Sequence, residues 1–186
     1  MSLMKENLYY AKERIELLLN IEDGDRQKFE NLYAWCPKAM EYTVKEKLCR
    51  INPEEGEIWT GDFGFNVGSE IDKTRPLIIT NRNNKSNIVS VAPISHANQV
   101  FDTHVKIEDR FLCYKEADID GSIKVEQERA FSKARLGRRI GKLSEEGMLE
   151  VKRAILTHHN ITPEMLVRMF PDVLQLKIVE TTGSNK

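Results

Sequence analysis

The sequence predicts a mainly β protein with α-helices, in which a small barrel or strongly bent sheet has helices before and after it. Between residues 56 and 143, short apolar runs are separated by Gly, Asn and Asp, a pattern typical of antiparallel strands joined by turns. Five to seven such runs follow one another without a helical pattern between them, which favours a small barrel. Outside this region, apolar residues recur at three- and four-residue steps, as in helices.

Two helices are predicted in the first 52 residues. Residues 7–19 carry one apolar face, and the polar segment 20–25, with Gly24, should end that helix. A second apolar stripe contains Pro37, which predicts two helices or one kinked helix. Because apolar stripes need a partner, we expect residues 1–52 to form a helical extension that packs through them. The second stripe consists of Phe29, Leu32, Cys36, Met40, Val44 and Leu48.

The central region is interpreted as a series of short strands. Residues 76–80 are nearly all apolar, as expected for a strand inside a sheet, whereas residues 103–107 alternate. Gly and polar residues predict a long exposed loop over 61–72 and a turn over 81–87 with Asn83 and Asn84. The predicted strands are 57–62, 76–80, 88–94, 103–107, 121–125, 129–131 and 139–143.

Two helix starts follow the strands. Ser144 is a good N-cap and has two acids after it, so a helix is expected to about residue 157. Thr162 followed by Pro163 predicts another helix, which Pro171 interrupts. The predicted organisation is therefore an extension over 1–52, a barrel with its C-terminal helix over 53–158, and an extra helical segment with a disordered tail over 159–186.

Composition excludes several classes of protein. No apolar run is long enough for a membrane span, and the N-terminus lacks the layout of a signal peptide. Three widely spaced cysteines argue against a disulfide framework, so a cytoplasmic protein is expected. Net charge is −1, but residues 129–142 contain six basic side chains and no acid. Such a cluster can bind phosphate or be a solvated face. Phosphate-binding loops and zinc spacings are missing, so no cofactor and no metal are expected.

The central region contains several short motifs. Each motif alone is a weak signal, but their order and spacing together are fairly specific. They are Gly56-Glu57-Ile58-Trp59, Val67-Gly68-Ser69-Glu70, Thr74-Arg75-Pro76, Pro93-Ile94-Ser95, Thr103-His104-Val105, Glu126-Gln127-Glu128-Arg129 and Ile140-Gly141-Lys142-Leu143. In this order the motifs resemble the MazF/PemK toxin family over residues 55–156. The resemblance implies a small SH3-like barrel of the MazF/PemK/CcdB kind with a C-terminal helix, working as a homodimer. It also implies a metal-independent endoribonuclease that cleaves single-stranded RNA, including mRNA, and is restrained by a cognate antitoxin protein.

Cleavage by the RNA's own 2′-hydroxyl needs a proton acceptor, a cation or donor at the phosphate, and an acid for the leaving 5′-oxygen. Arg75 matches the family's catalytic arginine, and its planar fork suits a phosphate. Ser95 stands where the family has Thr or Ser, and Glu126 where some members place a catalytic carboxylate. His96 is a second candidate for proton transfer. Each residue type also has an ordinary structural role: a surface ion pair for Arg75, a turn for Ser95 and a polar strand face for Glu126.

Further residues are candidates for binding RNA. Trp59 and Phe65 are rings that can stack on bases, although Trp59 also suits the barrel interior. Ser69 stands where one branch of the family has His. This chain therefore lacks a histidine that could act as acid or base at that position. The loop 64–72 is expected to gate or read the RNA. The candidate RNA-binding residues are Ser69, Glu70, Thr74, Lys124, Gln127, Arg129, Lys133 and Arg135.

Two other functions stay open at this point. One is a non-enzymatic growth inhibitor of the CcdB kind, which poisons gyrase, although the matches at Arg75, Ser95 and Gln127 favour MazF/PemK. The other is a repurposed binding module, because a fold does not by itself determine a function.

Overall fold

The chain forms a strongly bent antiparallel sheet with helices at both ends. The computed structural model describes residues 2–19, 26–81, 85–96 and 101–171. Within them lie eight strands: β1 (Glu57–Asp62), β2 (Thr74–Ile79), β3 (Ile88–Ser95), β4 (His104–Lys106), β5 (Leu112–Lys115), β6 (Ser122–Lys124), β7 (Arg129–Ser132) and β8 (Leu136–Leu143). The helices described are α1 (Ser2–Leu19), α2 (Arg26–Glu46), α3 (Glu145–His158) and α4 (Pro163–Met169).

The sheet bends because β3 changes partners along its length. The strand order is β4-β6-β3-β2-β1-β8-β5, and β7 also pairs with β3. The first half of β3 pairs with β7, from Ile88 opposite Ser132 to Val91 opposite Arg129. Its last two residues, Ile94 and Ser95, pair instead with β6. This mainly β architecture, with a helix after it and added helices at both ends, confirms the predicted fold class.

The central strands are buried on both faces, which explains their continuous apolar sequence. Along β2, Ile78 belongs to one core cluster, whereas Leu77 and Ile79 belong to the other. The first cluster includes Met148 and Val151, so α3 covers that face of the sheet. Phe63 and Phe131 fill the second cluster, with their ring centroids 5.1 Å apart.

Most predicted elements are present, with some differences. Helix α1 begins earlier than expected, and α2 is one helix that continues through Pro37. β8 begins at Leu136 rather than residue 139, and β5 was not predicted. β5 pairs with β8 at the end of the strand order, and its residues are only partly buried or exposed, so it lacks an apolar run. Three predicted features lie outside the described residues: the helix end at 20–25, the turn residues 83–84 and the C-terminal tail.

Within this chain, α2 does not pack on the sheet through its apolar stripe. Met40, Val44 and Leu48 are exposed, each by more than 60%. The helix packs instead through Trp35, Lys38, Tyr42 and Glu46, which recur at three- and four-residue steps on another face. Helix α2 packs through this face because polar and aromatic groups of the sheet bind it. The periodicity of apolar residues in the sequence does not predict such contacts.

Candidate active site

Arg75 and Ser95 lie at the same edge of the sheet. β2 and β3 are antiparallel, with Leu77 opposite Pro93 and Ile79 opposite Val91. The start of β2 and the end of β3 therefore meet at one edge. Pairing between these strands stops at Pro93, where β3 turns to β6 and places Ser95 opposite Ser122. The two strands part at this point, with Arg75 on one and Ser95 on the other.

The Arg75 side chain is about two-fifths exposed and only weakly held. Its Nε donates to the carbonyl oxygen of Asp72 at 3.3 Å, and its Nη2 lies 3.9 Å from the Asp72 carboxylate. Among the described residues, no other hydrogen bond or ion pair occupies the guanidinium. The planar fork therefore retains donors for an anion such as a phosphate.

Ser95 and His96 are the polar groups at the end of β3. The Ser95 hydroxyl donates to the carbonyl oxygen of His96 at 3.2 Å, and the side chain is partly buried. The hydroxyl can still accept a hydrogen bond. The His96 ring is 78% exposed, with Nδ1 3.8 Å from the Asp120 carboxylate.

Glu126 lies in a short 3₁₀ turn (Val125–Gln127) between β6 and β7. One of its carboxylate oxygens is 2.8 Å from Nε2 of His104, and the other accepts a hydrogen bond from the Thr103 hydroxyl at 3.3 Å. The His104 side chain is only 1% exposed, so it holds this carboxylate from the protein side. Lys124, one candidate for RNA contact, is opposite His104 in the pairing of β6 with β4.

Gln127 ties the loop before Arg75 to this turn. Its Oε1 accepts a hydrogen bond from the Ile71 backbone N–H at 3.0 Å, and its Nε2 donates to the Ser69 carbonyl oxygen at 3.1 Å. Arg129 donates from Nη2 to the same Oε1 at 3.3 Å. Within the loop, the Asn66 amide donates to the Phe63 and Ile71 carbonyl oxygens. The loop is therefore anchored at both ends, while Ser69, Glu70 and Thr74 remain exposed.

The two remaining basic candidates lie beneath α2. Lys133 is 5% exposed. The Arg135 guanidinium lies 5.0 Å from the Trp35 ring and 4.6 Å from the Phe131 ring, and its Nε donates to the Asp62 carbonyl oxygen at 2.7 Å. Burial lowers the pKa of Arg135. Lys133 is therefore withdrawn from solvent, and the Trp35 ring of α2 partly covers Arg135.

Sequence reasoning missed Asp62, on which α2 is anchored. Its carboxylate accepts hydrogen bonds from the Tyr42 hydroxyl at 3.0 Å, the Gly64 backbone N–H at 3.0 Å and Lys38 Nζ at 3.4 Å. The side chain is 9% exposed, and a buried carboxylate needs such partners. The sequence signal at this position is weak: an acid at the end of a strand, two residues before Gly64.

The described residues contain no helix that could cross a membrane and no group of three His, Cys, Asp or Glu side chains placed to hold a metal ion.

Comparisons with known proteins agree with the motif pattern. The family described as "PemK-like, MazF-like toxin of type II toxin-antitoxin system" matches residues 54–159. The chain belongs to this family. Helices α1 and α2 precede the matched segment of this PemK-like, MazF-like toxin, and α4 follows it. The resemblance stated from the motifs is thereby confirmed. No curated protein matches the chain significantly.

A solved structure of a similar protein shares the fold, and two others match less closely. The crystal structure of MazF (Form-I) from Deinococcus radiodurans has 13% identity and a TM-score of 0.51, covering 59% of this chain and 98% of that chain. This match shows the fold. An endoribonuclease from a Mycobacterial species matches with 15% identity and a TM-score of 0.47, covering 60% of this chain and 94% of that chain. An endoribonuclease in complex with its cognate antitoxin, also Mycobacterial, matches with 17% identity and a TM-score of 0.47, covering 59% and 97%.

Proposed function

We propose that this PemK-like, MazF-like toxin is a sequence-specific endoribonuclease that cleaves single-stranded RNA by attack of the substrate's own 2′-hydroxyl, without a metal ion. The observation that carries the proposal is the position of Arg75 and Ser95 at the edge where β2 and β3 part. A phosphate between them would meet a partly exposed guanidinium on one strand and a hydroxyl on the other. This arrangement suits a reaction whose main demand is electrostatic stabilisation of a phosphoryl group.

The proposed steps assign a role to each side chain. Glu126 takes the proton of the 2′-hydroxyl, the 2′-oxygen bonds to phosphorus, and the bond from phosphorus to the 5′-oxygen breaks. The leaving 5′-oxygen receives a proton from His96 or from the protonated Glu126. Arg75 stabilises the charge on the phosphoryl oxygens, and Ser95 positions the phosphate. The products are a 2′,3′-cyclic phosphate and a 5′-hydroxyl, so atoms and charge balance with no added reactant.

The contacts of Gln127 support this assignment for Glu126. Gln127 follows Glu126 directly and is hydrogen bonded to Ile71 and Ser69 in the loop that leads into Arg75. The turn with the proposed base is thus joined to the segment with the proposed phosphate ligand. The proposed RNA contacts are side chains of that loop, the start of β2, and the turn at Glu126 with its flanking strands: Ser69, Glu70, Thr74, Lys124, Gln127 and Arg129. The buried Lys133 and the partly covered Arg135 would contribute only if the contacts that cover them opened.

We also propose a cognate antitoxin and a second copy of the chain as partners, and the cytoplasm as the place of action. The family description names a toxin-antitoxin system, which supports the antitoxin. The mass of the purified protein in solution tests the homodimer, and copurification with a coexpressed antitoxin tests the complex.

The deciding experiment compares wild type, Arg75→Ala and Arg75→Lys on a long single-stranded RNA in the presence of EDTA. We expect wild type to give discrete fragments with cyclic-phosphate ends. Arg75→Ala should be at least about 100-fold slower, as when a transition-state donor is removed. Arg75→Lys should be intermediate, because an ammonium keeps the charge and loses the fork. Full activity of Arg75→Ala would refute its role, and an inactive wild type that is dimeric and free of antitoxin would refute the endoribonuclease.

A further inference from the structure

Helix α2 and the loop before β2 enclose a groove that the proposed mechanism does not use. Asn31, Trp35 and Lys38 line it from the helix, and Phe65, Lys73 and Thr74 line it from the loop. Its cavity volume is about 190 Å³. A water molecule takes roughly 30 Å³ in the liquid, so the groove has room for a planar group much larger than water.

The wall that α2 contributes is firmly attached. The buried Asp62 carboxylate binds both Lys38 and Tyr42 of the helix, and Glu46 accepts a hydrogen bond from the Ser132 hydroxyl at 2.8 Å. The Trp35 ring fits against Gly64, where any side chain would collide with it. A groove built on such contacts is formed before a ligand arrives, as small-ligand sites usually are.

The groove is continuous with the candidate active site. Thr74 lines it and directly precedes Arg75, and Asp72 lines it while its carboxylate lies 3.9 Å from the Arg75 guanidinium. A strand of RNA whose phosphate rests on Arg75 would therefore bring a neighbouring nucleotide to the groove.

The side chains in the groove match what a nucleotide offers. Trp35 and Phe65 are partly exposed rings on which a base can stack. The Asn31 amide has two N–H donors for the edge of a base, and its Oδ1, which accepts from Gln27 Nε2 at 3.5 Å, can accept a second hydrogen bond. Lys38 is 58% exposed and Lys73 is exposed, so both can approach a phosphate. The charge of Asp62 faces Lys38, the Tyr42 hydroxyl and a backbone N–H, which reduces its repulsion of RNA.

We propose that this groove binds one nucleotide next to the cleaved phosphate, so that the N-terminal extension selects part of the RNA sequence. The proposal rests on the proposed function. Its residues on α2 precede the segment 54–159 that the family shares, so the added selectivity belongs to this chain.

The test uses the full-length protein and two probes. The first is a randomised single-stranded RNA, whose cleavage products show the preferred base at each position. The second is a short single-stranded RNA with fluorine in place of every 2′-hydroxyl, which cannot be cleaved and reports binding alone. The variants are Asn31→Ala and Lys38→Ala. Lys12→Ala is the matched control, because it removes one exposed positive charge from α1, outside the groove.

We expect Asn31→Ala to lose selectivity at one position beside the cut and to cleave its preferred RNA about 2- to 10-fold more slowly, as for loss of one hydrogen bond. Lys38→Ala should bind the fluorinated RNA about 5-fold more weakly. Its slope of log affinity against log salt should fall by about 0.7, the value for one phosphate contact on a single strand. Lys12→Ala should match wild type in selectivity, cleavage rate, affinity and salt slope. The thermal unfolding temperature of each variant shows whether the substitution removed only an RNA contact or also detached α2. Lys38→Arg should restore the salt slope.

Each outcome decides between the two proposals. If wild type cleaves and the groove variants keep its preference, affinity and salt slope, the groove does not bind RNA while the endoribonuclease stands. If wild type binds the fluorinated RNA, Lys38→Ala weakens it, and no protein cleaves, the groove stands while the endoribonuclease fails. Unchanged RNA binding with weaker capture of the coexpressed antitoxin would overturn the groove as an RNA site and assign it to that protein.

Discussion

The indole ring of Trp35, on α2, occupies the space that a side chain at position 64 would need. A Cβ built on Gly64 would lie 2.5 Å from a ring carbon of Trp35, well inside van der Waals contact. Gly64 also has a φ of +78°, in the left-handed region that favours glycine. The close approach of helix and loop therefore depends on a glycine here for two separate reasons.

Gly64→Ala should detach α2 from the loop. Left-handed backbone costs a residue with a Cβ about 1–2 kcal/mol, and the collision with Trp35 adds to this. Gly68→Ala is the matched control, because Gly68 has a φ of +62° and nothing within 4 Å of its added Cβ. We expect Gly64→Ala to lower the free energy of unfolding by at least about 1 kcal/mol more than Gly68→Ala, measured by urea denaturation. Equal losses would contradict the contact, and a Trp35→Ala background should abolish the difference.

Gln127→Ala should release the loop before Arg75. It removes the acceptor for the Ile71 N–H and the donor for the Ser69 carbonyl oxygen, at a cost of roughly 1–3 kcal/mol. We expect faster amide hydrogen exchange at Ile71 and a lower kcat, because Arg75 is then less well positioned. The amide of Ile78, inside β2, should keep its protection and serves as the control. Unchanged exchange at Ile71 would show that Gln127 does not hold the loop.

Glu126→Gln should remove the proposed proton acceptor without changing the fold. The amide oxygen can still accept a hydrogen bond from the Thr103 hydroxyl, so the turn should keep its structure. If the carboxylate is the general base, cleavage should fall by about 100-fold or more while affinity for the fluorinated RNA is retained. Glu116→Gln, at an exposed carboxylate after β5, is the matched control. Cleavage at the wild-type rate would leave Glu126 with a structural role only.

Alkaline pH should weaken the attachment of α2 through Tyr42. Burial first, and then the hydrogen bond to Asp62, raise the pKa of the Tyr42 hydroxyl above its ordinary value of about 10. Because the folded-state pKa is the higher one, the stabilisation is complete below about pH 10 and is lost as pH rises through the folded-state pKa. The stability difference between wild type and Tyr42→Phe should therefore be constant near neutral pH and shrink above about pH 10.

Tyr33→Phe is the control for this pH dependence, because Tyr33 is an exposed tyrosine on the same helix. Tyr33→Phe keeps the hydrogen bond from Tyr42 to Asp62, so this variant should lose stability above about pH 10 as wild type does. No difference between wild type and Tyr42→Phe at neutral pH would show that the hydroxyl contributes nothing to docking. A difference that persists undiminished above the tyrosine range would show that the contribution does not depend on the hydroxyl proton.

Local sequence signals predicted the elements whose structure depends on near neighbours. The apolar run of β2 corresponds to a strand buried on both faces. Ser144 caps α3 by accepting a hydrogen bond from the Gly147 N–H, and Thr162 caps α4 from the Met165 N–H. β5 was missed, because a half-exposed strand at the end of a sheet carries little apolar pattern. In the candidate site, motif order pointed to Arg75, Ser95 and Glu126, and their chemical roles remain predictions.

Local features of the sequence were sufficient for the mainly β class, the helix caps and the family, because apolar periodicity, capping residues and motif spacing are read from near neighbours. The packed face of α2 and the burial of Lys133 depend instead on contacts between distant parts of the chain. Asp62, Arg135 and Trp35 come from three distant parts of the chain, and their contacts form only when the sheet closes on the helix. A buried carboxylate needs hydrogen-bond partners, and Tyr42 and Lys38 of α2 supply two of those of Asp62. That requirement outweighed the apolar stripe in orienting α2.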